Sequence, residues 1–207
     1  MKQTPTLPAT EYLNEKVACL KAKILTRNPR SDSNAWLSSR NPARGFGKRE
    51  LYPLGFKMAS DELIDHLLEK GSPSHWNEAM VYPIFFGYRY SVELRLKNQI
   101  RRLSGFPKED PTSLRGRDGH DLLALWKTLR SLLGDLAADD TFRANYDELE
   151  TYVTVLHELD KSSLSFRYSD ADFPVRDEDT EFGVVDLEDL KEHVAELSNL
   201  MDKLGLI

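Results

Sequence analysis

The residues with chemistry to offer fall in three places. Arg89, Glu93 and Lys97 follow one another at four-residue steps, the spacing that puts a carboxylate between two cations on one face of a helix. Beside an apolar stripe, such a group orients a reacting centre; equally, it is a salt bridge inside a bundle that fixes helix register. Gly119-His120-Asp121-Leu122 sets an imidazole at a helix start, where it serves as a general acid or bonds loop backbone as a cap. Phe166-Arg167-Tyr168-Ser169-Asp170 holds an arginine among aromatics, suited to meeting an anion or to tying a loop to its core by one cation–π contact.

Other chemistries lack their residues. His66, His75, His120, His157 and His193 stand apart, neither HExxH nor CxxC occurs, and His157-Glu158 with Asp160 is too sparse a ligand set, so no metal site is expected. Gly116 and Gly119 are not followed by the Lys-Ser/Thr of a phosphate-cradling loop, which excludes P-loop hydrolysis of a nucleoside triphosphate. No cofactor is expected.

The elements that must position these groups are helices. Tyr12, Leu13, Val17, Leu20 and Ile24 describe an amphipathic helix ending near Pro29, and residues 28–53 lack periodicity and read as a long loop or arm. Ser60-Asp61-Glu62 resembles a helix N-terminus, with Leu63, Ile64, Leu67 and Leu68 as its buried stripe and Gly71-Ser72-Pro73-Ser74 as its stop. From Trp76 to Leu103 the chain carries its longest helical stripe, Phe85, Tyr88, Val92, Leu96, Ile100 and Leu103, bent or started at Pro83. A fourth helix spans His120 to Asp135 on Leu122, Leu125, Trp126, Leu129, Leu132, Leu133 and Leu136. A fifth, capped by Thr141, carries Phe142, Tyr146, Leu149, Val153, Leu156 and Leu159. A sixth starts at Asp186 with Leu187, Leu190, Val194, Leu197, Leu200, Met201 and Leu204. The segments at 164–168 and 181–185 are candidates for a short β-hairpin. The expectation is an all-α, up-and-down bundle of about six helices. With no βα alternation and no repeat, a Rossmann sheet, a TIM barrel and a solenoid are excluded.

Length and charge bound the function. A chain of 207 residues buries roughly 70% of its unfolded surface and needs no covalent staples. Cys19 has no partner for an internal disulfide, which fits a reducing, cytoplasmic setting. No signal-peptide core or apolar run of membrane-spanning length appears. The net charge of −6 argues against generic nucleic-acid affinity. The charge is uneven, however. Arginines and lysines crowd residues 27–50 and 95–117, whereas ten acids fall between Asp170 and Glu192. That gradient suits an anionic ligand at one end, or solvated helix faces with an acidic loop.

Taken in order, the stretch from Val81-Tyr-Pro-Ile through Tyr88-Arg-Tyr-Ser-Val-Glu-Leu-Arg-Leu-Lys97, then Gly119-His-Asp-Leu122, then Phe166-Arg-Tyr168, resembles a branch of the HEPN superfamily of small helical domains over roughly residues 56–205. The chain departs from the branch pattern at Tyr90, where a histidine is usual, and at Ser169, where proline is usual. The resemblance implies a helical bundle, frequent homodimerisation, and a nucleotide- or RNA-associated role in bacterial toxin, stress or phage-defence systems. Catalytic members of the superfamily carry an arginine followed at a short interval by a histidine and cut RNA without metal. In this chain only Arg115 and His120 have that spacing, and they precede the fourth helix rather than lying late in the bundle.

Three functions follow from this. The first is an HEPN-like nucleotide- or RNA-associated component of such a system, paired with a cognate toxin, antitoxin or defence protein. The second is a metal-independent endoribonuclease, with His120 as acid/base and Arg115 or Arg89 stabilising the phosphate. The third is a non-catalytic helical interaction protein. Glu93, Lys97, Asp121, Arg167 and Tyr168 complete the expected binding site, with Arg89, Glu93, His120 and Arg167 converging at one end of the bundle and the cations outweighing Glu93. Residues 1–55 are expected to form a helix and arm, and residues 56–207 the bundle.

Overall fold

The computed structural model describes residues 17–19, 48–70, 74–104, 114, 118–134, 140–160 and 185–206. The chain divides into Met1–Ser39 and Arg40–Ile207. In the first unit, Val17 to Cys19 are helical; the rest of the expected first helix lies outside the described residues. The second unit is an all-α bundle of α1 (Lys48–Lys70), α2 (Ser74–Leu103), α3 (Leu122–Leu133), α4 (Asp140–Leu159) and α5 (Leu187–Lys203), with a 3-10 turn at Asp118–His120. No strand occurs among the described residues, and the expected hairpin lies almost wholly outside them.

The first helix of the bundle corrects two expectations. It begins at Lys48, twelve residues before Ser60, and runs unbroken through position 55, where the boundary between arm and bundle was expected. Pro53 lies inside it, removing one backbone donor. Ser60 is not a cap but an interior residue, 1% exposed, whose hydroxyl donates to the Ile84 carbonyl of α2 at 3.0 Å. Ser91 of α2 repeats the device, donating to the Pro53 carbonyl at 2.8 Å. Together with Tyr88, which donates to Asp61 at 2.7 Å, these bonds set α1 and α2 antiparallel. Burial and the Asp61 carboxylate both hold the Tyr88 phenol far above its ordinary range. Gly87 lets the two helices approach so closely. A Cβ there would sit 2.2 Å from Ser60 Oγ and 3.2 Å from the Phe56 carbonyl oxygen.

The long helix is continuous from Ser74 to Leu103, as its stripe requires, and Val92, Leu96 and Ile100 are buried. It is more enclosed than a surface amphipathic helix. Its apolar column is buried, and so is the neighbouring polar column of Arg89, Glu93 and Lys97. Leu103, expected on the stripe, is exposed, as are Leu68 of α1 and Leu132 of α3.

Helices α3 and α4 form a second antiparallel pair. Arg130 near the end of α3 meets Asp147 and Glu150 early in α4, while Asp121 at the start of α3 meets His157 late in α4. Trp126 and Tyr146 pack between them with ring centroids 6.0 Å apart. Gly134 ends α3 at φ +50°, a backbone state that other residues rarely adopt. Helix α5 starts as expected, with the Asp186 carboxylate accepting from the Glu188 and Asp189 amides at 2.9 and 3.1 Å. Lys191 joins it to Asp65 of α1, Arg95 of α2 to its Asp202, and Tyr152 of α4 to its Glu196. The hydrogen bond to Glu196 and partial burial push the Tyr152 phenol up to about 12. At its far end the Leu206 amide donates to Met201 O at 2.7 Å and the Gly205 amide to Asp202 O at 3.0 Å, with Gly205 at φ +66°. This is the reversal that closes a helix and folds Leu206 back onto the core.

Candidate active site

The polar column of α2 is the foundation of the site. Four-residue spacing stacks Arg89, Glu93 and Lys97, and the apolar residues beside them draw the whole column inside the bundle. A carboxylate in such a place must be fully bonded to persist. Glu93, 0% exposed, meets that demand. Its Oε2 accepts from Arg89 Nη1 at 3.1 Å, and its Oε1 lies 2.8 Å from Lys97 Nζ and 3.0 Å from His120 Nδ1.

Arg89 forms the floor. Its Nε donates to the Asp160 carbonyl at 3.0 Å, its Nη2 donates to the His120 carbonyl at 2.5 Å, and the Asp160 carboxylate lies 3.6 Å from Nε. With 2% exposure and its guanidinium nitrogens turned to protein, Arg89 binds the start of α3 and the end of α4 to α2. It is a positioning residue. That replaces the expectation that Arg89 touches the phosphate itself.

His120 reaches solvent, its side chain 44% exposed above a fully buried Glu93. The 3-10 turn carries it there, and Gly119 makes the turn fit. A Cβ at Gly119 would meet the Leu114 carbonyl oxygen at 2.5 Å and its carbon at 2.7 Å, and these backbone atoms have no rotamer to give way. Capping of α3 falls to Asp121, whose carboxylate accepts from the Ala124 amide at 2.9 Å. His120 is therefore not the cap. Its Nδ1 is engaged by a carboxylate, and the opposite ring nitrogen, Nε2, has no hydrogen-bond partner among the described residues. With Nδ1 as the protonated nitrogen, Nε2 presents its lone pair outward, the tautomer of an acid/base imidazole oriented by a carboxylate.

The structure brings Arg89, Glu93, Lys97, His120 and Asp121 together, and it adds Asp160 and His157, which sequence patterns did not select for this role. Asp160 is 2% exposed and follows the last turn of α4; His157 is 8% exposed, with Nδ1 3.5 Å from Asp121 Oδ1. The signal for both was an ionisable pair near the end of an apolar helix, which gives no partner by itself. Two carboxylates, Glu93 and Asp160, face two cations, Arg89 and Lys97. Arg167, counted among the cations expected to outweigh Glu93, is not part of this described group. Arg115, Arg167 and Tyr168 lie outside the described residues. No group of three or more histidines, cysteines or acids among the described residues is arranged to hold a metal ion. No described helix is long and apolar enough to cross a membrane.

What the arrangement can do is move a proton at a solvent-facing imidazole whose orientation is fixed from below. Comparisons with protein-family models, curated proteins and solved structures find no match to this chain.

Proposed function

We propose that the chain is an HEPN-like, RNA- or nucleotide-directed component of a bacterial toxin, stress or phage-defence system, working as a metal-independent endoribonuclease. The observation that supports it is the Glu93–His120 pair: a fully buried carboxylate 3.0 Å from Nδ1 of a half-exposed imidazole. Such a pair supplies the proton transfers that cleavage of RNA needs, and the nucleophile comes from the substrate. His120 Nε2 takes the proton from the ribose 2′-hydroxyl as that oxygen bonds to phosphorus. The phosphorus–5′-oxygen bond breaks, and the imidazolium returns the proton to the departing oxygen. The products are a 2′,3′-cyclic phosphate and a 5′-hydroxyl. Lys97, on the same Glu93 oxygen and 9% exposed, is the described cation nearest the imidazole's anchor. Arg115, Arg167 and Tyr168 belong to the proposed site through the family resemblance.

The test is cleavage of a single-stranded RNA oligonucleotide in excess EDTA. Wild type is expected to release cyclic-phosphate ends and His120→Ala to lose at least about 100-fold in rate, the range of a general acid/base contribution. Cleavage abolished by EDTA, or equal rates for both proteins, rejects the mechanism. A non-catalytic interaction role has one observation in its favour. Leu54 and Met58, one turn apart on α1, are 51% and 54% exposed and offer an apolar strip to a second copy or a partner protein.

A further inference from the structure

Every member of the buried network has a bonded partner except one. His157 lies late in α4, its side chain 10% exposed, and its Nδ1 is buried without a hydrogen bond. Asp121 Oδ1 lies 3.5 Å from it, too long for a formed bond. That oxygen already takes the Ala124 amide and has a lone pair to spare. Leaving a buried ring nitrogen unpaired is unfavourable, so the pair is driven to close. Closing it draws the start of α3 against the end of α4, and the residue before Asp121 is His120.

We infer that His157 is a positioning residue for His120. Through Asp121 it holds the first turn of α3 so that the His120 carbonyl stays on Arg89 and the His120 ring stays on Glu93. Arg89 ties the same two helix ends from the α2 side, through the His120 and Asp160 carbonyls. His157 and Arg89 are then two clasps on one junction, one on each side. The inference rests on the reading of His120 as the acid/base, but the geometry it asserts is measurable without any reaction.

The experiment uses the full-length chain labelled with 15N at histidine. In wild type the His120 Nδ1–H proton is expected far downfield and slow to exchange, because it is held on Glu93. His157→Leu should lose that resonance and let the His120 tautomers average, while His157→Gln, whose amide can donate to Asp121 as the imidazole would, should keep it. In the RNA assay His157→Leu should lower kcat roughly 10-fold or more with KM within about twofold, and His157→Gln should restore it. An unchanged His120 resonance in a folded His157→Leu protein overturns the inference, as does a His157→Gln protein that behaves like His157→Leu. If His157→Leu does not fold, Asp121→Ser decides. Serine caps a helix as well as aspartate, but its shorter side chain sets the acceptor farther from His157, so the His120 resonance should weaken, and an unaltered one overturns the proposal. A wild-type protein that leaves RNA intact rejects the proposed reaction alone; the resonance still decides the clasp.

Discussion

Glu93 and His120 belong to one hydrogen bond, yet substitutions at them should have different consequences. Glu93 neutralises two buried cations, so Glu93→Gln leaves Arg89 and Lys97 short of an anion inside the bundle. Breaking a buried pair in this way costs about 3–5 kcal/mol. His120 is half-exposed and closes no charge balance, so His120→Ala should change stability by less than about 1 kcal/mol. Chemical denaturation of both variants checks the contrast. Equal destabilisation would mean that His120 is a structural member of the network. The α2 column and His120 were legible in the sequence because helical spacing and a Gly-His-Asp helix start are local patterns. Asp160 and His157 were not, since their roles exist only where the end of α4 comes to lie beside Arg89 and Asp121, a meeting of residues 71 and 36 positions apart that no local spacing encodes.

Among the helices, the close crossing of α1 and α2 depends on the pairing of Ser60 with Gly87. Gly87→Ala should destabilise the bundle by about 1–3 kcal/mol, since its Cβ would fall 2.2 Å from Ser60 Oγ. Adding Ser60→Ala removes the clashing oxygen, leaving the new Cβ 3.6 Å from the Ser60 Cβ position, and should recover part of the loss. Two additive penalties in thermal unfolding would show that the clash is not what limits the approach. This crossing explains why the start of α1 was misread. Ser60 before two acids has the composition of an N-cap, but its hydroxyl turns across to Ile84 rather than back to its own helix. Pro53 likewise looks like part of a loop until α2 supplies a surface for α1 to lie against. Helices α2 to α5 were legible because each has its own apolar period and stop signal.

For the molecule as a whole, the question is what covers the strip on α1. Homodimerisation, which the family resemblance implies, would bury Leu54 and Met58 across a two-fold axis. Light scattering at tens of micromolar should give about twice the 23.7 kDa chain mass, and Leu54→Glu with Met58→Glu should return it to one chain. A wild-type protein of single-chain mass at that concentration counts against self-association.

The enclosure of α2 also sets how the protein comes apart. From Ile84 to Ile100 both its apolar and its polar columns face protein, so no side of this helix can be freed while its neighbours stay in place. Its most open residues over this stretch, Phe86, Tyr90, Leu94, Arg95 and Asn98, are only partly exposed. In deuterium exchange the amides of this stretch should share one slow rate that follows global unfolding, whereas amides at the ends of α3 and α5 should open earlier and independently. Fast exchange around Glu93 in the native protein would mean that the site loosens by itself, without the rest of the bundle.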